Sequence, residues 1–403
     1  MFKKLLFIIL FLPLTYLQAK TFSAWVEMGP NNSAIARAIT SEKTCPTIQL
    51  DKTSQAMELR AAANIKYPVT SCEMIIPKQI KAASILDQKL VLPKLEPQRI
   101  VIIGDTGCRI ELGWVQACND PNAWPFAKIA KIAAAAHPDL VIHVGDYHYR
   151  EAACPMWNKG CRNSPYGYNW LAWNADFFTP AAPLLKAAPW VMVRGNHEDC
   201  NRAYEGWYRF LDPFTYSSTC KKYSPLYTVK IGDVTLYIMD ASSAADFGST
   251  SEQNAHFKEY FTQIDQSPAN NVWLTVHKPA WTTAFPNQQS TLTQAIDGTI
   301  PNNLNLILAG HVHQFEALNF KNRPAQLIVG DSGTYLAAWH GNTQPKDLIV
   351  NGQEVIQPLV LPEFGYMVLE IQNDQWVGYV HDVDGKILAN CLQHEKQFIC
   401  VPN

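Results

Sequence analysis

The chain has little charge and almost no excess of either sign. Charged residues make up 17%, and 33 Lys+Arg stand against 35 Asp+Glu, a net charge of −2. That balance gives no global electrostatic drive toward nucleic acid or an anionic membrane, so no specific nucleic-acid binding is expected. Beyond the N-terminus, no stretch reaches 18 apolar residues, and no later membrane-spanning helix is expected. No two cysteines have C-x-x-C spacing, which argues against a zinc–thiolate site. There is no internal repeat and no low-complexity tract. What remains is an apolar chain of 403 residues, 47% hydrophobic, long enough to bury a sizeable core in two or three domains.

The first residues have the pattern of a targeting signal. Lys3 and Lys4 precede an almost wholly apolar run, 5–14, and Leu17-Gln18-Ala19 puts a small residue at a cleavage position. Residues 1–19 are therefore expected to be a signal peptide, leaving an exported protein, periplasmic or secreted, with no membrane span. No cysteine stands at the cut, so no lipid anchor is expected. Ten cysteines suit an oxidising compartment. Their near-neighbour pairs are Cys45/Cys72, Cys108/Cys118, Cys154/Cys161, Cys200/Cys220 and Cys391/Cys400. Sequence does not settle the connectivity, but these local loops are the simplest proposal. It does not address the oligomeric state.

Two regions differ in pattern. Residues 20–96 carry short alternating runs, such as 35–40, 47–50, 69–77 and 90–92, separated by turn residues, and predict a small β-sandwich domain. Pro93 and Pro97 bracket a stiff connector. From there, residues 97–403, apolar runs at 100–103, 140–144, 190–193, 234–239, 272–276, 304–308 and 326–329 suit buried strands. Helical patterns at 126–136 and 252–264 lie between some of them. The alternation predicts an α/β layered domain. Runs 366–371, 376–383 and 386–389 predict closing β-hairpins.

Five of the apolar runs lead into polar clusters. They are Gly104-Asp105-Thr106-Gly107, Gly145-Asp146-Tyr147-His148-Tyr149, Gly195-Asn196-His197-Glu198, His277, and Gly310-His311-Val312-His313. In layered α/β folds, ligands bind beyond the carboxyl ends of the strands. Five segments can thus deliver side chains to one place. Two Asp, one Asn, three His and one Tyr are hard oxygen and borderline nitrogen donors, suited to Zn, Mn or Fe. Seven donors exceed one tetrahedral site and suit two metals that share a carboxylate.

These motifs, in this order, resemble the five-motif signature of purple acid phosphatases, members of the calcineurin-like metallophosphoesterases. One position departs: Leu274-Thr275-Val276-His277 has Leu where the family usually has Val. The resemblance implies a layered core of two β-sheets flanked by helices, preceded by a fibronectin-like β-domain. It implies that Asp105, Tyr149 and His313 bind one metal, usually Fe(III). Asn196, His277 and His311 would bind a second, divalent ion (Fe, Zn or Mn), and Asp146 would bridge the two. His197 would be the catalytic group that contacts the phosphate or leaving group, with Asn196 and His148 as further substrate contacts. The implied activity is hydrolysis of small phosphate monoesters by a metal-activated hydroxide. The absence of a D-x-H motif after Asp105, with Tyr149 as the compensating donor, points to the purple subclass. A phosphodiesterase or nucleotide hydrolase would use the same donors. A silent binding protein would be expected to have lost at least one.

Other residues are expected in humbler roles. His143 reads as a core histidine and Glu198 as a neighbour of the site or a loop charge. Arg109, Arg150 and Arg194 flank motifs and read as salt-bridge partners before substrate anchors. His340 is a candidate neighbour of the site. Family members often carry further histidines after the strand-end His; here Lys278-Pro279-Ala280-Trp281 offers a cation and an aromatic instead.

Overall fold

The computed structural model describes residues 21–337 and 341–403. The expected signal, 1–19, and His340 lie outside them. Among the described residues, no helix is long and apolar enough to cross a membrane.

Two large sheets face each other. The first has eleven strands. Arg99–Ile103, Leu140–His143 and Trp190–Met192 run parallel at its centre. The second has eight, with Val234–Met239, Val272–Val276, Leu304–Ala309 and Ala325–Val329 running parallel. These runs are largely apolar because both faces are covered. Alternation along each strand divides the side chains. Ile100 and Ile102 point to a core shared with Trp273, Leu306 and Leu308 of the facing sheet. Val101 and Ile103 point outward against the helix Phe126–Ala135 and the helix Thr179–Leu185. The opposite outer face packs Ser251–Asp265 and Thr291–Ile296 over Leu274, Leu304 and Ile307. The result is the expected layered core of two sheets flanked by helices.

The helix starts follow their caps. Thr250 accepts the Gln253 amide N–H at 3.1 Å in a capping box, and Ser290 accepts that of Thr293 at 3.1 Å. Such caps satisfy amides that the first turn leaves unpaired.

The N-terminal sandwich is present, but one of its sheets is not separate. Thr21–Gly29 pairs in parallel with Trp190–Met192, Glu27 opposite Trp190. Ser33–Thr40, Thr70–Ile76 and Glu58–Ala61 extend the first large sheet from there. The sandwich's second layer has four short strands, and Val26, Ile48, Leu50 and Ile85 fill the space between. Arg60 reinforces the junction, donating to the carbonyls of Tyr208, Asp212 and Phe214 at 2.7–2.9 Å. At the other edge, Gly365–Gln372, Gln375–Asp382, Ile387–His394 and Gln397–Pro402 form an antiparallel meander. Its final strand was absent from the sequence reading.

All five disulfides join the near-neighbour cysteines: Cys45–Cys72, Cys108–Cys118, Cys154–Cys161, Cys200–Cys220 and Cys391–Cys400. The second, third and fourth close loops that flank the polar clusters.

Candidate metal centre

The polar clusters leave the carboxyl ends of strands in both sheets. Asp105, Asp146 and Asn196 follow strands of the first sheet, and His277 and His311 follow strands of the second. The backbone turns sharply to deliver them. Asp105 (φ 53°), Asp146 (φ 60°) and His311 (φ 70°) occupy the left-handed region, a conformation that costs about 1–3 kcal/mol and concentrates at functional sites. Glycine makes room: a Cβ on Gly195 would lie 2.0 Å from Asp146 Oδ1, and one on Gly145 2.4 Å from His277 Nδ1.

The donor atoms form two adjoining groups. Tyr149 Oη lies 3.0 Å from Asp105 Oδ1, 2.7 Å from Asp146 Oδ2 and 3.1 Å from His313 Nε2. His277 Nε2 lies 3.0 Å from Asn196 Oδ1 and 3.1 Å from Asp146 Oδ2. Ligand atoms of Asp146, His277 and His311 all fall within 4.8 Å of one another. Asp146 belongs to both groups.

The tautomers agree with ligation. His277 Nδ1 donates to the Val144 carbonyl at 2.8 Å, and His313 Nδ1 to that of Tyr335 at 2.8 Å. In the neutral rings, each Nε2 then turns a lone pair into the cluster. In the second group, acceptors thus converge: a carboxylate oxygen, an amide oxygen and an imidazole lone pair. Donors about 2.1 Å from a common ion at right angles stand about 3 Å apart. The observed spacings match that figure, so these residues fit a pair of metal ions.

Without a bound cation, protons take its place among these donors. Burial pushes the Asp105 carboxyl well above the usual range. Burial and the two carboxylates push the Tyr149 phenol up. Burial alone would lower His277, but Asp146 outweighs it and raises the ring to about 9. Burial, Arg109 and His311 lower His313 to about 3, leaving it neutral. Burial would raise Asp146, yet His277 and His197 hold it well below. A bound cation favours the ionised forms of carboxylates and phenol.

Buried acids hold the loops. Glu198 accepts the backbone N–H of Tyr147 (2.9 Å), His148 (3.1 Å) and Gly195 (3.2 Å), locking two clusters together. Asp176 accepts those of Cys108 (3.0 Å), Tyr149 (2.7 Å) and Arg150 (3.0 Å), and pairs with the Arg150 guanidinium. Arg109 pairs with Glu111 at 3.0 Å and Arg194 with Asp240 at 3.1 Å. All three flanking arginines are therefore engaged in ion pairs.

His197 stands beside the donors. Its Nε2 is 3.9 Å from Asp146 Oδ2, and its ring lies 3.9 Å from that of Tyr149. Its Nδ1 contacts Glu151 Oε1 at 2.8 Å. His148 is placed elsewhere: fully buried, with Nε2 3.1 Å from the Gly167 carbonyl and its ring beside Tyr168 and Trp173. Its ring is thus held by the Gly167 carbonyl and by packing, and none of these contacts is to a metal donor. His143 is a core residue, Nε2 2.9 Å from Thr106 Oγ1. Trp281 does not line the pocket, and Lys278 lines it with its ammonium already engaged. Trp281 is buried against Phe320, and the Lys278 ammonium donates to the Ala244 carbonyl and Asp246.

Two neighbours were missed in the sequence. Glu151 holds His197. Asp246 Oδ1 lies 3.2 Å from His311 Nε2 and 2.9 Å from Lys278 Nζ. Neither lies in a recognisable motif; Glu151 has only its place two residues past Tyr149 as a signal.

A family model described as calcineurin-like phosphoesterase matches residues 98–315. Purple acid phosphatase 22 of Arabidopsis thaliana is 22% identical over 261 residues, 60% of this chain and 51% of that protein. The chain thus spans about half the length of this curated relative. Among solved structures, a purple acid phosphatase, PPD1, from yellow lupin (Lupinus luteus) seeds shares the fold at TM-score 0.60 and 12% identity, over 93% of this chain and 73% of that one. A PhoD structure does so at TM-score 0.60 and 13% identity, over 95% and 92%. At such identities these two structures speak for the fold alone. The matched segment contains all five polar clusters, more than half the chain, and on that footing the chain belongs to the calcineurin-like phosphoesterase family, as a member similar to the purple acid phosphatases.

Proposed function

We propose that this protein is a metal-dependent phosphoester hydrolase acting on phosphate monoesters. The observation that carries the reading is the convergence around a shared Asp146 of six donors spaced about 3 Å apart, with His311 within 4.8 Å of Asp146 and His277. Asp105, Tyr149 and His313 would hold one ion, taken as Fe(III), and Asn196, His277 and His311 a divalent one, with Asp146 between. When bound, such a pair supplies Lewis-acid stabilisation of the phosphoryl oxygens and a water of lowered pKa.

The chain's own residues do the rest. Glu151 orients His197, whose Nε2 faces the cluster. In hydrolysis a water oxygen bonds to phosphorus and the ester P–O bond breaks. The leaving oxygen departs with the bonding pair and takes a proton from His197 Nε2. The water gives its proton to solvent, and solvent reprotonates His197. Glu198 and Asp176 keep the donor loops in place without side-chain motion. Five disulfides support export to an oxidising compartment.

The test is the initial rate of the metal-loaded protein on an aryl phosphate monoester and the matching diester across pH. Monoester preference at acidic pH supports the reading, and diester preference contradicts it.

A further inference from the structure

His311 and His313 form one wall of a cavity of about 450 Å³. The remaining walls come mainly from two loops, 244–247 and 278–290. They are tied to each other and to the sheet. Gly248 N–H donates to the Gln289 carbonyl at 2.8 Å, and Ala245 and Thr291 exchange two bonds. Gln326 accepts the amides of Ala280 and Trp281, and Glu316 that of Thr283 at 2.9 Å. The cavity is therefore a preformed feature beside the candidate metal centre.

Its lining is chiefly apolar, with Ala244, Pro279, Ala284 and Leu292 among its residues. Phe247 and Phe285 line it too, yet they are 68% and 54% exposed. Their rings meet edge to face, centroids 5.6 Å apart and planes at 79°. Two phenyl rings left in water at the mouth of a cavity offer an apolar, aromatic surface to whatever enters.

The charges of the cavity exclude the alternative. Its one ammonium among the described residues, that of Lys278, is engaged by the Ala244 carbonyl at 2.7 Å and by Asp246 at 2.9 Å. Asp246, 38% exposed in its side chain, adds a carboxylate to the wall. The arginines near the metal donors, Arg109, Arg150 and Arg194, already pair with acids. A second phosphate or a carboxylate on the substrate would find no free cation here among the described residues, since Lys278 is already paired with Asp246.

We propose that this cavity receives the leaving group of the phosphate ester and selects a neutral aromatic one over an aliphatic or polyanionic one. The inference rests on the phosphatase reading for the word "leaving"; the binding preference itself does not. Phe247 and Phe285 are the specificity-determining residues. An aromatic group packed against them gains ring contacts and apolar burial that an alkyl or charged group does not.

The experiment uses the metal-loaded protein and non-hydrolysable phosphonates, so recognition is read without turnover. Titration calorimetry compares naphthylphosphonate, methylphosphonate and 3-phosphonopropionate on wild type, Phe247→Ala/Phe285→Ala and Phe285→Tyr. The wild type should bind naphthylphosphonate at least tenfold tighter than methylphosphonate, and 3-phosphonopropionate no tighter. The double variant should bring the aromatic preference to within about twofold, and Phe285→Tyr should keep it. Both phenylalanines are exposed, and an unchanged melting temperature checks that the double variant folds. No aromatic preference in the wild type, or one undiminished in the double variant, overturns the proposal. The turnover of an aryl phosphate by the same preparation separates the two claims. A silent enzyme that still prefers naphthylphosphonate sinks the phosphatase reading and keeps the cavity's selectivity. An active enzyme without that preference does the reverse.

Discussion

Glu151 Oε1 lies 2.8 Å from His197 Nδ1. Burial would raise this carboxyl, but the His197 contact and the nearby Arg202 hold it below its ordinary value. It therefore stays ionised well into the acid range and turns His197 Nε2 toward the metal donors. Glu151→Gln should lower kcat about tenfold, and His197→Ala about 10²- to 10³-fold, with both metals retained. The loss should be larger on an alkyl phosphate than on nitrophenyl phosphate, because a good leaving group needs no proton. Steady-state rates on the two esters check this; equal losses on both would remove His197 as the acid.

Asp246 contacts the His311 ring, Oδ1 to Nε2 at 3.2 Å. Its carboxyl is held well below the usual range by His311 and Lys278, against the pull of burial. Carboxylate partners of metal-binding histidines orient the ring and raise its basicity. Asp246→Asn should weaken the divalent site about 10- to 100-fold and leave the Tyr149 site loaded. Plasma mass spectrometry after graded chelation reads both ions. Parallel loss of the two would contradict a role through His311.

Tyr149 sits between two carboxylates. If Fe(III) occupies its site, the oxidised protein carries a visible phenolate-to-iron band, and Tyr149→Phe abolishes it with iron still measurable. A fully iron-loaded, oxidised wild type without colour would falsify that assignment.

Stability should favour acidic pH. Burial pushes Glu27 up to about 7, although Arg37 and Arg60 oppose it, and pushes Asp212 up to about 6. Glu27 Oε1 and Asp212 Oδ1 lack a hydrogen-bond partner. For a carboxyl raised on folding, the stabilisation is complete below its unfolded value, about 4, and is lost as pH rises through the folded value. The melting temperature of the metal-free protein should therefore fall by several degrees between pH 5 and pH 8. Glu27→Gln should flatten the slope. A rising melting temperature over that window would contradict the account.

Three disulfides flank the donor loops: Cys108–Cys118, Cys154–Cys161 and Cys200–Cys220. Reduction under native conditions should release metal before the protein unfolds. Unchanged metal content in the fully reduced, folded chain would show that the loops hold without them.

The five polar clusters were legible because each follows the end of an apolar strand, and a strand's end is written in a short window. The layered core was legible for the same reason: its strands are apolar on both faces. What escaped depends on distant pairings. Nothing near residue 27 announces that its strand will lie beside Trp190 and merge the sandwich with the catalytic sheet. Asp246 meets His311 across 65 positions, and Asp176 meets Tyr149 across 27. Trp281 reads as a pocket aromatic, but Gln326 fixes the backbone at 280–281 and turns that ring into the core, leaving Phe285 in its place. His148 shares a motif with Tyr149, yet neighbouring side chains diverge, and its ring packs on Trp173.

The central claim is that two ions share Asp146. Anomalous diffraction from crystals of the metal-loaded protein tests it directly. The account predicts two peaks about 3.5–4 Å apart, one on each side of the Asp146 carboxylate. One peak, or two that do not touch Asp146, would contradict it.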